Sequence, residues 1–92
     1  MDKKQLEYYV GATLDEKRAI LGDTFAGYEN LVHGNHATAS RHFKIARSLW
    51  GMYELNPLTI ALKLIDGREF GRAKELIENT IDELIKNTGT SK

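Results

Sequence analysis

The sequence predicts an all-α fold made of antiparallel helical hairpins, and three observations carry that prediction. Ala39, Phe43, Ala46, Trp50 and Tyr53 recur at steps of three, four and seven in an otherwise polar run, which is helical periodicity. Helix start and stop signals punctuate the chain at short intervals: Thr13 with Glu16, Gly34-Asn35, Asn56-Pro57 and Gly67. The chain holds one proline and three Phe in 92 residues, against a background rich in Leu, Ile, Ala, Lys and Glu.

Five helices follow in order. Asp2 and Gln5 have the form of a capping box, and Leu6, Tyr9 and Val10 supply a short apolar face, so helix 1 is expected over about Lys3 to Val10, closed by Gly11. Thr13 and Glu16 form a second capping box, with Asp15 and Glu16 at the positive end of the helix dipole. From there Leu14, Leu21, Phe25, Tyr28 and Val32 run in heptad-like steps, widened by Ile20 and Leu31. These residues predict helix 2 over Leu14 to His33, with Gly34 as its left-handed stop. Gly22 and Gly27 interrupt it at roughly 1 kcal/mol each relative to Ala. Close packing would offset that at Gly27; no such reason is visible for Gly22.

Asn35 is the expected cap of helix 3, which runs to about Glu54 with the Ala39–Tyr53 stripe inward. Small Ala39 and Ala46 let another backbone approach, and Phe43 and Trp50 fill the space between. Asn56-Pro57 restarts the chain, with proline at the first helical position, where its missing N–H is no loss. Helix 4, Pro57 to Asp66, is apolar nearly all round except at Lys63, so it is either central or half of an exposed apolar surface. Helix 5 carries Phe70, Ala73, Ile77, Ile81, Leu84 and Ile85 inward, with Lys74, Glu75, Glu78, Asp82 and Glu83 outward. Short connections predict antiparallel neighbours.

Ninety-two residues make one compact domain, expected over residues 1–87, with 88–92 as a disordered polar tail. The 41% hydrophobic and 28% charged composition is that of a folded domain, and 13 basic residues balance 13 acidic ones, so no global field recruits nucleic acid or an anionic membrane. No cysteine is present, which removes disulfides, thiolate zinc sites and cysteine nucleophiles and fits a cytoplasmic setting. No apolar run has the length of a signal peptide core or a membrane span.

The helices also repeat. A shift of 34 residues places Gly27 on Ala61, Leu31 on Ile65, Ala39 on Ala73, Phe43 on Ile77 and Trp50 on Leu84, by class more than by identity. The run Gly34-Asn35-His36-Ala37-Thr38-Ala39, followed by Phe43 and Ala46, resembles the turn and second helix of a tetratricopeptide repeat, and Ala26-Gly27 stands where that family has Leu-Gly. Asp23, Asn30, Gly51 and Thr80 depart from the family pattern, at its Trp, Tyr, Pro and final Ala positions. The resemblance spans about Ile20 to Asn87 and implies two tetratricopeptide-like hairpins plus an N-terminal helix. A plain antiparallel bundle is the competing arrangement.

In proteins of that family, the first helix of each hairpin lines a concave groove that holds a peptide or helix. By matching positions, the groove would use Leu21, Thr24, Tyr28, Leu31 and Val32 with Leu55, Leu58, Leu62, Ile65 and Asp66. Such an apolar lining suits an apolar helix from a partner, or the same face of a second copy in a homodimer. The expected function is therefore that of a small adaptor, chaperone-like or regulatory interaction module. The competing class is a nucleic-acid-associated regulator that uses a basic ridge of Arg41, Lys44 and Arg47 on helix 3.

Catalysis has no visible basis: no carboxylate pair is placed near a nucleophile, and Ser40, Ser48 and Ser91 lack a nucleophile-elbow context. His33, His36 and His42 straddle a helix break without an acidic or thiolate complement, so neither a metal nor another cofactor is expected. His36 is expected to replace the turn aromatic of the repeat and pack there.

Overall fold

The computed structural model describes residues 3–88. Five helices make it up: α1 (Lys3–Val10), α2 (Leu14–Val32), α3 (His36–Trp50), α4 (Pro57–Asp66) and α5 (Phe70–Thr88), with no strand among the described residues. Asp2, the expected cap of α1, and residues 89–92 of the expected tail lie outside the described residues.

Two helix starts form as their sequences dictate. At α2 the capping box is complete: Glu16 N–H donates to Thr13 Oγ1 at 3.1 Å, and Thr13 N–H donates to Glu16 Oε1 at 3.0 Å. Donation by Thr13 to the ionised carboxylate, first from its backbone N–H and then from its side chain, holds the Glu16 carboxyl below its usual range. At α4 the Asn56 side-chain Oδ1 accepts from Leu58 N–H at 2.9 Å, with Pro57 at the first position. The Asn56 amide donates to Gly51 O at 2.9 Å, which ties the incoming loop to the helix it starts.

The two hairpin turns are copies of one another, 34 residues apart. After α2, Gly34 N–H donates to Leu31 O and Asn35 N–H to Asn30 O; after α4, Arg68 N–H donates to Ile65 O and Glu69 N–H to Leu64 O. Both pairs are the two bonds of a Schellman stop, which requires a left-handed residue just past the helix. Gly34 supplies it at φ 82°, whereas in the second turn Arg68 does so at φ 59° and Gly67 keeps an ordinary φ of −82°. The expectation that Gly67 itself takes the stop position is therefore one residue early. His36 and Phe70, equivalent in the two turns, stack with ring centres 3.7 Å apart and planes 10° from parallel.

Three expected boundaries are corrected. Helix α3 ends at Trp50, because Gly51 turns the chain at φ 92° and Met52 follows at φ 51°; Tyr53 leaves the apolar stripe and is exposed. Asn35 gives α3 no side-chain cap, since its amide turns back toward Asn30. Helix α5 includes Thr88, the first residue of the expected tail, and the Thr88 hydroxyl lies 2.7 Å from the Tyr9 hydroxyl.

The hairpins close on each other. Helix α2 packs on α3 and α4 on α5, and the pairs join through α3 against α4 and α2 against α5, so α2 and α4 stand on opposite sides of one core. That core contains Ile20, Leu31, Ala39, Phe43, Ala46, Leu58, Ala61, Ile65, Ala73, Ile77 and Leu84. Helix α1 covers one end. Trp50 Nε1–H donates to Gln5 O at 3.0 Å, the Tyr9 ring meets Trp50 edge-on, and the buried Tyr9 hydroxyl donates to Lys17 O at 3.1 Å.

Candidate functional site at the α2–α5 seam

Helix α2 carries two parallel stripes, and the fold buries only one. The buried stripe is Lys17, Ile20, Thr24, Gly27 and Leu31. The other, Leu14, Leu21, Phe25, Tyr28 and Val32, is one residue further along the chain at most positions, which places it about 100° around the helix. Leu14 is 49% exposed, Phe25 44% and Val32 47%; Leu21 and Tyr28 are half-buried against the core edge. Apart from Arg18, the seam made by steps of three and four is apolar from Leu14 to Val32.

Helix α5 forms the second wall. The Tyr9 hydroxyl bridges Lys17 on α2 and Thr88 on α5, and Tyr28 lies beside Glu78, so the two helices run antiparallel along the seam. That register brings Ile85, 54% exposed, level with Leu21. Burial and then the neighbouring Glu78 carboxylate hold the Tyr28 hydroxyl above the ordinary tyrosine range. The face is therefore an apolar strip with charges along both margins. Chemically it can desolvate the apolar side of another element, and it brings together no nucleophile with a base.

The expected α2–α4 groove does not form. Thr24, Leu31, Leu58, Leu62 and Ile65 are buried core residues, because α2 and α4 face each other across the bundle and α3 and α5 fill the sides. Beside those five, Leu21 and Tyr28 reach the surface only in part, and they do so on the α5 side. Of the remaining matched positions, Val32 is exposed on the same seam, while Leu55 and Asp66 are exposed elsewhere.

The basic ridge is also divided. Arg41 and Lys44 are exposed, but Arg47 turns inward: its Nη1–H donates to Thr59 Oγ1 at 3.2 Å and its guanidinium lies 4.9 Å from the Tyr53 ring centre. Thr59 in turn donates to Tyr53 O, so Arg47 fastens the 51–56 loop to α4. Two exposed cations one turn apart are a weak phosphate-tracking surface. Of the three histidines, His42 Nδ1 pairs with Asp23 at 3.1 Å, and His36 is stacked on Phe70. No group of three or more His, Cys, Asp or Glu among the described residues is arranged to hold a metal ion. No helix among them is long and apolar enough to cross a membrane.

The exposed residues of α2 were visible in the sequence as a stripe, of which Leu21, Tyr28 and Val32 were expected in a groove shared with α4, and Leu14 and Phe25 were assigned to no surface. Ile85 was counted with the core, although it sits four residues past Ile81 and so follows the α2 margin of α5. The chain matches no family model, no curated protein and no solved structure.

Proposed function

We propose that this protein is a small, non-enzymatic interaction module that holds a helix of a partner protein along the α2–α5 seam. The observation behind the proposal is the exposure of Leu14, Phe25, Val32 and Ile85, four large apolar side chains on one seam, each close to half exposed or more. Isolated exposed apolar residues are ordinary on a protein surface; a continuous strip about 27 Å long, from the 18 steps of about 1.5 Å between Leu14 and Val32, is the form that a docked helix covers. The contacts of this reading are Leu14, Leu21, Phe25, Tyr28, Val32 and Ile85, of which Leu21, Tyr28 and Val32 are among the ten positions that the sequence suggested. A cytoplasmic setting accords with the cysteine-free composition.

The test is affinity capture from the source cell with the intact chain and with a Phe25→Asp/Val32→Asp variant as baits. Both side chains point outward, so the variant keeps its helical circular dichroism. Proteins retained by the intact chain are expected to be lost on the variant. The same retained set on both baits would show that the seam is not the docking surface.

A further inference from the structure

Helix α1 is joined to the bundle differently from the other helices. Of the buried apolar core residues, α1 supplies Tyr9 alone, and α2 to α5 supply the rest. Its other buried residue is Gln5, whereas Lys3, Lys4, Glu7 and Tyr8 are exposed. With 8 residues it is too short to keep helical form by itself, so it is a helix only while docked. Undocking and loss of its helix are therefore one event.

The start of α2 does not depend on α1. Thr13 and Glu16 close the first turn of α2 on each other, at 3.0 and 3.1 Å, and neither partner comes from α1. Exposed Gly11 leads into that cap, so the chain can swing at residues 11–12 without unravelling α2. What holds α1 down is concentrated at Gln5 and Tyr9. The Trp50 indole N–H donates to Gln5 O at 3.0 Å, and the Tyr9 ring stands edge-on to Trp50 with centres 5.7 Å apart. The Tyr9 hydroxyl meets Lys17 O and the Thr88 hydroxyl. Under this cover Trp50, the single tryptophan of the chain, is 4% exposed.

We infer that α1 is a lid: it leaves the end of the bundle as one unit and uncovers Trp50 while α2 to α5 keep their fold. Segments with few buried apolar residues open at lower free energy than the core, and α1 has one such residue where α3 has Ala39, Phe43, Ala46 and Trp50. With the lid open, the Trp50 ring and its N–H and the Lys17 carbonyl become available to water; with it closed, α1 itself occupies all three.

The test is amide hydrogen exchange on the full chain, read residue by residue by NMR at urea concentrations below the unfolding midpoint. The amides of α1 through Gly11 are expected to exchange at least about 100-fold faster than those of Phe43 and Ile77, with one shared urea dependence weaker than that of the core. Trp50 emission is expected to shift to the red at lower urea than the loss of helical circular dichroism. Tyr9→Ala removes the ring against Trp50 together with the hydroxyl contacts, and is expected to shift Trp50 emission to the red without urea and to open it to acrylamide, with a cooperative melt retained.

Exchange of α1 at the rate of the core, or coincident urea curves for Trp50 and for helicity, overturns the inference. Rates that decline residue by residue from the chain start without urea dependence mean end fraying and overturn it as well. So does a Tyr9→Ala variant that unfolds throughout, or one whose Trp50 emission and quenching match the parent's. An emission change that varies with protein concentration would show α1 passing to a second copy, which overturns a lid acting within one chain.

Discussion

The ring of Phe43 lies directly over Gly27: a Cβ built on residue 27 would fall 2.5 Å from Cε1 and 2.7 Å from Cδ1. That contact gives α2 and α3 their close approach and explains a glycine in mid-helix. Both residues are buried. Gly27→Ala is expected to destabilise the protein by about 1–3 kcal/mol through overpacking, despite the gain of roughly 1 kcal/mol in helix propensity. Phe43→Ala removes the ring and should cost about 3–5 kcal/mol. In the double variant the methyl no longer meets a ring, so urea unfolding should return less than the sum of the single losses. Additive losses would show that the two sites do not touch.

Gly22 has no such neighbour, since nothing lies within 4 Å of a Cβ built there. It sits on an exposed part of α2, where glycine only loosens the unfolded chain. Gly22→Ala is expected to stabilise by about 0.5–1 kcal/mol. A thermal midpoint that falls instead would reveal a contact that this surface lacks.

The helices were legible in the sequence because their ends are chemical. Thr13 with Glu16, Gly34 and Asn56-Pro57 each satisfy orphan backbone groups by a side chain or a φ that few other residues supply, and the structure uses all three. The equivalence of the two hairpins was legible for a similar reason, since His36 and Phe70 meet at the same turn position. The side of α2 that faces inward was not. Its outer stripe of Leu, Phe, Tyr and Val is more apolar than its buried stripe, which includes Lys17, Thr24 and Gly27. Periodicity weighs side chains by hydrophobicity and cannot see that Gly27 is the space for a ring, or that the Thr24 hydroxyl is satisfied by Ile20 O at 2.7 Å. The groove prediction inherited that error, as it took Thr24 and Leu31 for surface. The end of α3 was missed because the apolar spacing continues to Tyr53 while Gly51 breaks the backbone beneath it.

Tyr9 links α1 to α2 and α5 through one hydroxyl, and burial is what raises its pKa above 10.0, with the Thr88 bond acting in the opposite direction. A raised pKa means that the folded state holds the proton more tightly than the unfolded chain does. The resulting stability is fully present below about pH 10 and is lost as pH rises through the folded value. Stability should therefore fall above pH 10, with α1 released from the bundle end. Tyr9→Phe should cost about 1–2 kcal/mol at neutral pH by leaving Lys17 O without this donor, and should flatten the alkaline fall. An alkaline limb as steep as the parent's would assign the transition to other groups.

Leu62 and Phe25 separate core from surface most sharply. Leu62 is 8% exposed and belongs to the face of α4 that carries Leu58 and Ile65, whereas Phe25 is 44% exposed. A glutamate at position 62 must either ionise among apolar side chains or take up a proton there, and no basic residue stands among its buried neighbours on α4. With a small domain's stability near 5–10 kcal/mol, Leu62→Glu is expected to unfold most of the chain at neutral pH and to recover helicity on acidification, when the new carboxyl is neutral. Phe25→Glu leaves its carboxylate in water and should keep native circular dichroism and a cooperative melt. If Leu62→Glu were instead folded at pH 7 with an unchanged melting temperature, α4 would present an open surface there and the closed bundle would be wrong.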